Sequence, residues 1–479
     1  MATDPSFQAN LVTVLQREIG GYREFIACER LSSGASQETY QIRITDAHGE
    51  RKLALRRAAG GVKTERAPSQ PGLPTEARLF QCAREAGVPE PEIYYVLSDA
   101  DGMGDGFLMQ WLDGETLGAR IVRSDALAEA RAGLAYQCGE VLARIHAIDL
   151  DSTGLRDLLD PLTPHDFVHE MWNRYQEYGT PQPMIDFTAR WLLDNLPVDY
   201  ELGLVHNDFR NGNVMVTPEG LNAVLDWETA HIGDPMRDLG WICTNSWRFG
   251  RTEKPVGGFG TYQDLFAGYQ AESGRKVDPD HVKFWEVFGS FWWAVGCLTM
   301  AEHYRSGPDK TVERPGIGRR SSECQVDCVN LLIPGPVHVA EAAPFDSTLD
   351  MPRADELLIS VRDFLRADVM PATEGRTSFM ARVAANSLDI VVRELAIGAH
   401  HRAGELQRLQ RLFGTTGDNL ETLRWKLVHA LRDASLALDT AGLSDHLRQT
   451  VVTQVAIDQP RYTGYRTALA HSKKSAGET

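Results

Sequence analysis

The chain has no apolar run long enough to cross a bilayer as a helix. Its most apolar stretch, residues 287–301, falls short of the roughly 20 residues a span needs and reads as a buried helix. The first residues, MATDPSFQANLV, lack the basic and apolar regions expected of a secretory leader. Cysteine is sparse and unpatterned. The seven, Cys28, Cys82, Cys138, Cys243, Cys297, Cys324 and Cys328, are odd in number and contain no C-x-x-C pair. No disulfide framework or zinc site follows, and a reducing cytoplasm is the expected location. Positive charge is short as well: 49 Lys and Arg against 66 Asp and Glu give −17. That argues against nucleic acid as the main partner and permits a cationic one.

What is present is ordinary in bulk and specific in one place. A hydrophobic content of 43% and a charged content of 24% fit a globular protein, and 479 residues predict two or three domains. The specific stretch is residues 204–238, LVHNDFRNGNVMVTPEGLNAVLDWETAHIGDPMRD. Apolar segments joined by a Pro-Glu-Gly turn read as a hairpin. His206, Asp208, Arg210 and Asn213 cluster before it, and Asp226 and Glu228 follow it. Phosphoryl transfer needs such a set: a carboxylate for the proton of the attacking hydroxyl and hard oxygen ligands for Mg²⁺.

The order H-x-D-x-x-x-x-N then D-W-E resembles the catalytic and metal loops of the aminoglycoside phosphotransferase and choline kinase-like superfamily, distant relatives of protein kinases. The wording VHNDFRNGNVMV…VLDWETAHIGDPMRDLGW looks most like the branch fused to acyl-CoA dehydrogenases in animals. The resemblance spans roughly residues 28–335. It implies an α+β fold of protein-kinase type, with a small β-rich N-lobe, a larger mostly helical C-lobe, and an all-α C-terminal bundle after it. It also implies an ATP- and Mg²⁺-dependent small-molecule kinase, with Asp208 as base, Asn213 and Asp226 as metal ligands, and His206, Arg210 and Asp238 as supporting residues. The acceptor expected for this branch is a hydroxyacyl-CoA. The alternatives are an aminoglycoside, another amino alcohol or a sugar, and a catalytically silent nucleotide-binding scaffold. Protein phosphorylation is disfavoured because no A-P-E signature follows.

The N-terminal part supplies the expected nucleotide contacts. LSSGASQETYQIRI is a small-residue turn and an alternating strand, so Gly34 and Ser36 would let backbone N–H groups approach phosphates. A second strand, KLALRR, ends in Arg56 and Arg57 where kinases carry lysine. Arg56 is the choice for the phosphates and Arg57 the alternative, since neighbouring strand residues face opposite ways. Glu76, in the helical run PTEARLFQCAREAG, is the carboxylate expected to pair with it. The segment 109–112 would be the hinge along the adenine, with Gln110 and Leu112 as contacts.

Three weaker readings complete the kinase part. His146, at the end of a long helix, reads as structural. Aromatics between 284 and 293 read as core. Arg319 and Arg320 could meet an anionic substrate or cap a turn. The domains expected are 1–112, N-lobe and hinge; 113–340, C-lobe; 341–353, linker; 354–465, helical; and 466–479, a disordered tail. The helical part shows four amphipathic stripes and no metal or nucleophile set, with His400 and His401 read as an exposed turn pair. It resembles a domain of uncharacterised function that accompanies kinases of this type.

Overall fold

The computed structural model describes residues 5–31, 37–63, 70–307 and 309–477. Gly34 and Ser36 lie outside the described residues. By contacts the chain forms two compact units, residues 1–164 with 197–286, and residues 165–196 with 287–479.

The first unit opens on an antiparallel sheet of five strands: β1 (Glu24–Arg30), β2 (Gln37–Asp46), β3 (Gly49–Ala58), β4 (Ile93–Val96) and β5 (Gly106–Gln110), in the order β1-β2-β3-β5-β4. Alternation builds it: Tyr40, Ile42 and Ile44 of β2 are buried while their neighbours are not. The β2–β3 register pairs Asp46 with Gly49 and Thr39 with Arg56. The helix Leu73–Glu85 has a proline in its first turn and buries Leu73, Glu76, Ala77, Leu79 and Phe80. Two short ladders follow, β6 (Gly203–Val205) with β9 (His231–Gly233) and, between them in sequence, β7 (Val214–Thr217) with β8 (Gly220–Val224). The polar loop 206–213 thus leaves β6 and enters β7, and the acidic loop 225–230 leaves β8 and enters β9. The helices Ala128–His146 and Tyr262–Ser273 pack on each other behind these ladders. This is the kinase-like arrangement of an N-terminal sheet followed by a helical remainder.

The second unit is all-helical. Its core joins Met184 and Phe187 of the helix Pro183–Asp194 and Val326 and Val329 of the helix Ser321–Leu332 to Leu423, Leu427, Leu447 and Val451 of the C-terminal helices. The division by contacts differs from the domains expected from sequence. Residues 333–353 do form a stretch without helix or strand, but the contacts do not divide there. The apolar faces of 183–194 and 321–332 are satisfied by the tail. Among the described residues the chain beyond 465 continues the helix Thr463–Gly477, with Tyr465, Ala468 and Leu469 reaching the same core. His401 lies inside the long helix Gly375–Phe413 and is buried, not in an exposed turn. Arg319 and Arg320 are committed to carboxylates, Arg319 to Glu394 and Asp458 and Arg320 to Glu323. Phe284, Trp285, Phe288 and Phe291 are core residues. Among the described residues no helix is long and apolar enough to cross a membrane.

Candidate active site

The loop after β6 is pinned from below by Asp238, on the first turn of the helix Met236–Cys243. Asp238 Oδ2 accepts from the His206 N–H at 2.8 Å, and Oδ1 accepts from the Asn207 N–H at 2.7 Å. His146 adds its Nε2 to Oδ2 at 3.1 Å. Burial opposes charge on Asp238, yet these hydrogen bonds and the neighbouring histidines hold its carboxyl below the ordinary value. Asn207 takes a left-handed backbone, φ 68°, and its side-chain oxygen accepts from Arg237 Nε at 3.1 Å.

His206 ties the two loops together. Burial lowers its pKa, so the ring is neutral. Its partners then assign the tautomer: Nδ1 accepts from the Asp208 N–H at 3.2 Å, and Nε2–H donates to the Leu225 carbonyl at 3.1 Å. Leu225 N–H in turn donates to the Asn213 carbonyl at 2.7 Å. Three links therefore set the stretch carrying Asp208 and Asn213 against the residue preceding Asp226.

Asp208 receives four donors. Oδ1 accepts from Arg210 Nε at 2.9 Å and Trp241 Nε1 at 2.8 Å. Oδ2 accepts from an Arg210 terminal nitrogen at 3.0 Å and Asn213 Nδ2 at 2.5 Å. The Arg210 guanidinium lies 4.3 Å from the centre of the Trp247 ring. Asn213 spends its amide nitrogen on Asp208, which leaves its Oδ1 as the oxygen suited to a cation.

Asp226 also has a left-handed backbone, φ 69°, and its Oδ1 meets Arg56 at 2.5 Å. Arg56 lies between three carboxylates, with Glu76 at 3.1 Å and Glu228 at 3.7 Å. Its single Nε proton goes to Gln37, so Glu76 meets it as a charge. Burial disfavours the Arg56 cation, but the three acids outweigh that and raise its pKa. Burial pushes Glu76 up to about 7 against the pull of Arg56. Arg57 points the other way, donating to Glu38 at 2.9 Å and covering the Phe7 ring at 3.9 Å. The strand alternation that left two choices resolves to Arg56 beside Glu76 and Asp226.

Arg56, Asn213, Asp226 and Glu228 line a cleft of about 610 Å³, and Gln110 and Leu112 line it too. Gln110 ends β5, and its N–H donates to the Glu92 carbonyl at 2.8 Å. Asp208 is not part of that lining; it stands behind Asn213, which is. Among the described residues no three His, Cys, Asp or Glu converge as a metal cage. One carboxylate and one amide oxygen is the sparse protein set that suits Mg²⁺ shared with substrate phosphates. Sequence reasoning missed Gln37 and Trp241. Gln37 belongs to no spaced motif, and Trp241, although it closes the stretch that carries the resemblance, has nothing in its spacing that separates it from a core tryptophan.

A family model described as a phosphotransferase enzyme family matches residues 27–274. A second, a domain of unknown function (DUF6285), matches residues 371–462. The mouse protein named acyl-CoA dehydrogenase family member 10 is 32% identical over 221 residues, 44% of this chain and 19% of its own length. The chicken protein named acyl-CoA dehydrogenase family member 11 is 30% identical over 225 residues, 45% of this chain and 27% of its own length. The chain therefore spans a minor part of these relatives. Among solved structures, one from Ralstonia eutropha, provisionally described as an aminoglycoside phosphotransferase, superposes with TM-score 0.54 at 20% identity, over 66% of this chain and 95% of that one. At that identity the likeness shows the fold. With the matching model covering more than half of its residues, the chain belongs to the phosphotransferase enzyme family.

Proposed function

We propose that the protein transfers the γ-phosphoryl group of ATP to a hydroxyl of a small molecule, a hydroxyacyl-CoA thioester being the acceptor. The observation that supports the transfer is the Arg56 ion-pair cluster beside the His206-linked loops, which brings Arg56, Asp226, Asn213 and Asp208 into one region. The names of the mouse and chicken relatives support an acyl-CoA acceptor.

In this reading Gln110 and Leu112 flank the adenine and Arg56 holds the α and β phosphates, with Glu76 behind it. Asn213 Oδ1 and Asp226 would hold Mg²⁺, which supplies charge neutralisation on the phosphates when bound. Asp208 orients the acceptor hydroxyl and takes its proton. The acceptor oxygen forms its bond to the γ-phosphorus as the bond to the β-bridging oxygen breaks, and ADP leaves without a covalent enzyme intermediate. Each Asp208 oxygen already receives two donors, so a hydroxyl reaches a lone pair only when one donor yields. Arg210 is that donor, since Trp241 and Asn213 are anchored in the core and the loop.

The test is an ADP-release screen over hydroxyacyl-CoAs, aminoglycosides and amino alcohols. Turnover with hydroxyacyl-CoA is expected. Phosphorylation of aminoglycosides alone would sink the acyl-CoA acceptor, and Mg-ATP binding without turnover on any acceptor would mark a scaffold.

A further inference from the structure

The acidic loop 225–230 is tied to a segment that the phosphoryl-transfer reading leaves unused, Pro89-Glu90-Pro91, just ahead of β4. Each proline fixes its own φ and presses the residue before it toward extended backbone, so the segment is stiff. It touches the cleft at three points. The Glu92 carbonyl accepts from the Gln110 N–H at 2.8 Å, and the Pro89 carbonyl accepts from the Val224 N–H at 2.9 Å. Between them, Glu90 Oε1 accepts from Trp227 Nε1–H at 3.1 Å. Val224 and Trp227 stand on either side of Asp226, so the segment grips the chain before and after that carboxylate.

Trp227 is fully buried and Glu90 is 4% exposed. The indole also packs on His206, with ring centres 4.5 Å apart. Asp226 holds a left-handed backbone, which in a residue other than glycine persists only where the surroundings impose it. On its N-terminal side the constraint is the Leu225 N–H bond to the Asn213 carbonyl, and on its C-terminal side it is the anchored indole. Glu90 is an unusual anchor. Burial holds its carboxyl well above the ordinary value, against the pull of the indole bond and of Arg84. Its Oε2 has no hydrogen-bond partner among the described residues. A buried carboxyl group costs free energy where an aliphatic side chain would pack, and the contact that offsets the cost is the indole.

We propose that Glu90 is a positioning residue for the cation site: it fixes the Trp227 indole and, through the backbone of Trp227, the direction of the Asp226 carboxylate. The inference rests on Asp226 as a metal ligand in the proposed function. Without the acceptor, the indole N–H is buried and unsatisfied, and the loop shifts to find it another partner. Asp226 moves with the loop because no residue separates it from Trp227. The adenine side is spared, since Gln110 is held by the backbone carbonyl of Glu92, which a change in the Glu90 side chain leaves in place.

The experiment follows Mn²⁺, which takes the same oxygen ligands as Mg²⁺, by electron paramagnetic resonance as it binds the full chain in the presence of ADP. ADP binding in EDTA is measured beside it. Glu90→Leu, which keeps the bulk and removes the acceptor, should weaken Mn²⁺ about tenfold while ADP binding in EDTA is unchanged. Glu90→Gln, whose amide oxygen accepts from the indole, should hold Mn²⁺ as wild type does. Trp227→Phe deletes the donor and should weaken Mn²⁺ as well, and adding Glu90→Leu to it should cost nothing more. The proposal is overturned if Glu90→Leu holds Mn²⁺ like wild type, if Glu90→Gln fails as Glu90→Leu does, or if ADP binding in EDTA falls equally. Should Glu90→Leu not fold, Glu90→Gln and Trp227→Phe decide by the same titration. A wild type that takes up no Mn²⁺ with ADP would overturn the cation site of the proposed function itself, whereas equal binding by wild type and Glu90→Leu overturns this inference alone.

Discussion

Asp208 and Asp226 are both acids at the mouth of short strands, yet they are held in different ways. Asp208 takes its donors from its own loop, Arg210 and Asn213, with one indole added from the helix below. Asp226 depends on Arg56, 170 residues away, and on a left-handed backbone that aims the carboxylate into the cleft. The first arrangement is preset mainly by short-range contacts, which fill the carboxylate's lone pairs with donors from its own loop. The second is a long-range ion pair, which on the proposed function an arriving nucleotide would exchange, the phosphates taking Arg56 and a cation Asp226.

The largest effect should come from emptying the first site. Asp208→Asn is expected to lower kcat by about 10²–10⁴ with Tm and ATP affinity retained; ADP release and nucleotide titration measure both. Near-wild-type turnover with the natural acceptor would break the assignment. The second site should fail in binding instead. Arg56→Met removes a charge-assisted contact and should raise KM for ATP by about 10–100-fold, whereas Arg57→Met should leave KM alone and lower Tm through lost packing on Phe7. Equal effects of the two on KM would erase the distinction between neighbours on β3. Between these, Trp241→Phe keeps an aromatic ring but deletes one donor to Asp208, and should cost about tenfold in kcat with KM for ATP unmoved.

What could be read from the sequence follows the same division. Loop 206–213 was legible because its internal contacts, His206 to Asp208, Asp208 to Arg210 and Asp208 to Asn213, run over two to five residues, so spacing encodes that part of the geometry directly. The β2–β3 hairpin was legible because burial alternates with period two. Arg56 against Arg57 was not, since both faces of β3 carry acids, Glu76 on one and Glu38 on the other, and composition favours neither. Trp241 and Gln37 were not picked out because their partners, Asp208 for one and Arg56 and Glu228 for the other, lie across the fold at no regular spacing. The contact units were not legible for a related reason: a proline-rich stretch is visible locally, but which core absorbs the helices Pro183–Asp194 and Ser321–Leu332 depends on partners distant in sequence.

The smallest expected effect is a pH dependence that belongs to the Arg56 side alone. In the folded chain Glu76 titrates at about 7, raised from an ordinary 4.5 by burial. Between those values the folded state binds the extra proton, so the stabilising contribution is complete below the unfolded pKa and is lost as pH rises through about 7. Charged Glu76 pulls Arg56 toward the helix Leu73–Glu85 and away from Asp226, which is the posture the phosphates need. KM for ATP should therefore fall several-fold from about pH 6 to about pH 8, and Glu76→Gln should flatten that profile while gaining Tm at the alkaline end. The kcat profile should not share this limb, because Asp208 takes its donors from Arg210, Asn213 and Trp241 and not from Arg56. A KM limb that persists in Glu76→Gln would move the titration to another group, and a kcat limb that vanishes with it would couple the two acids that the geometry keeps apart.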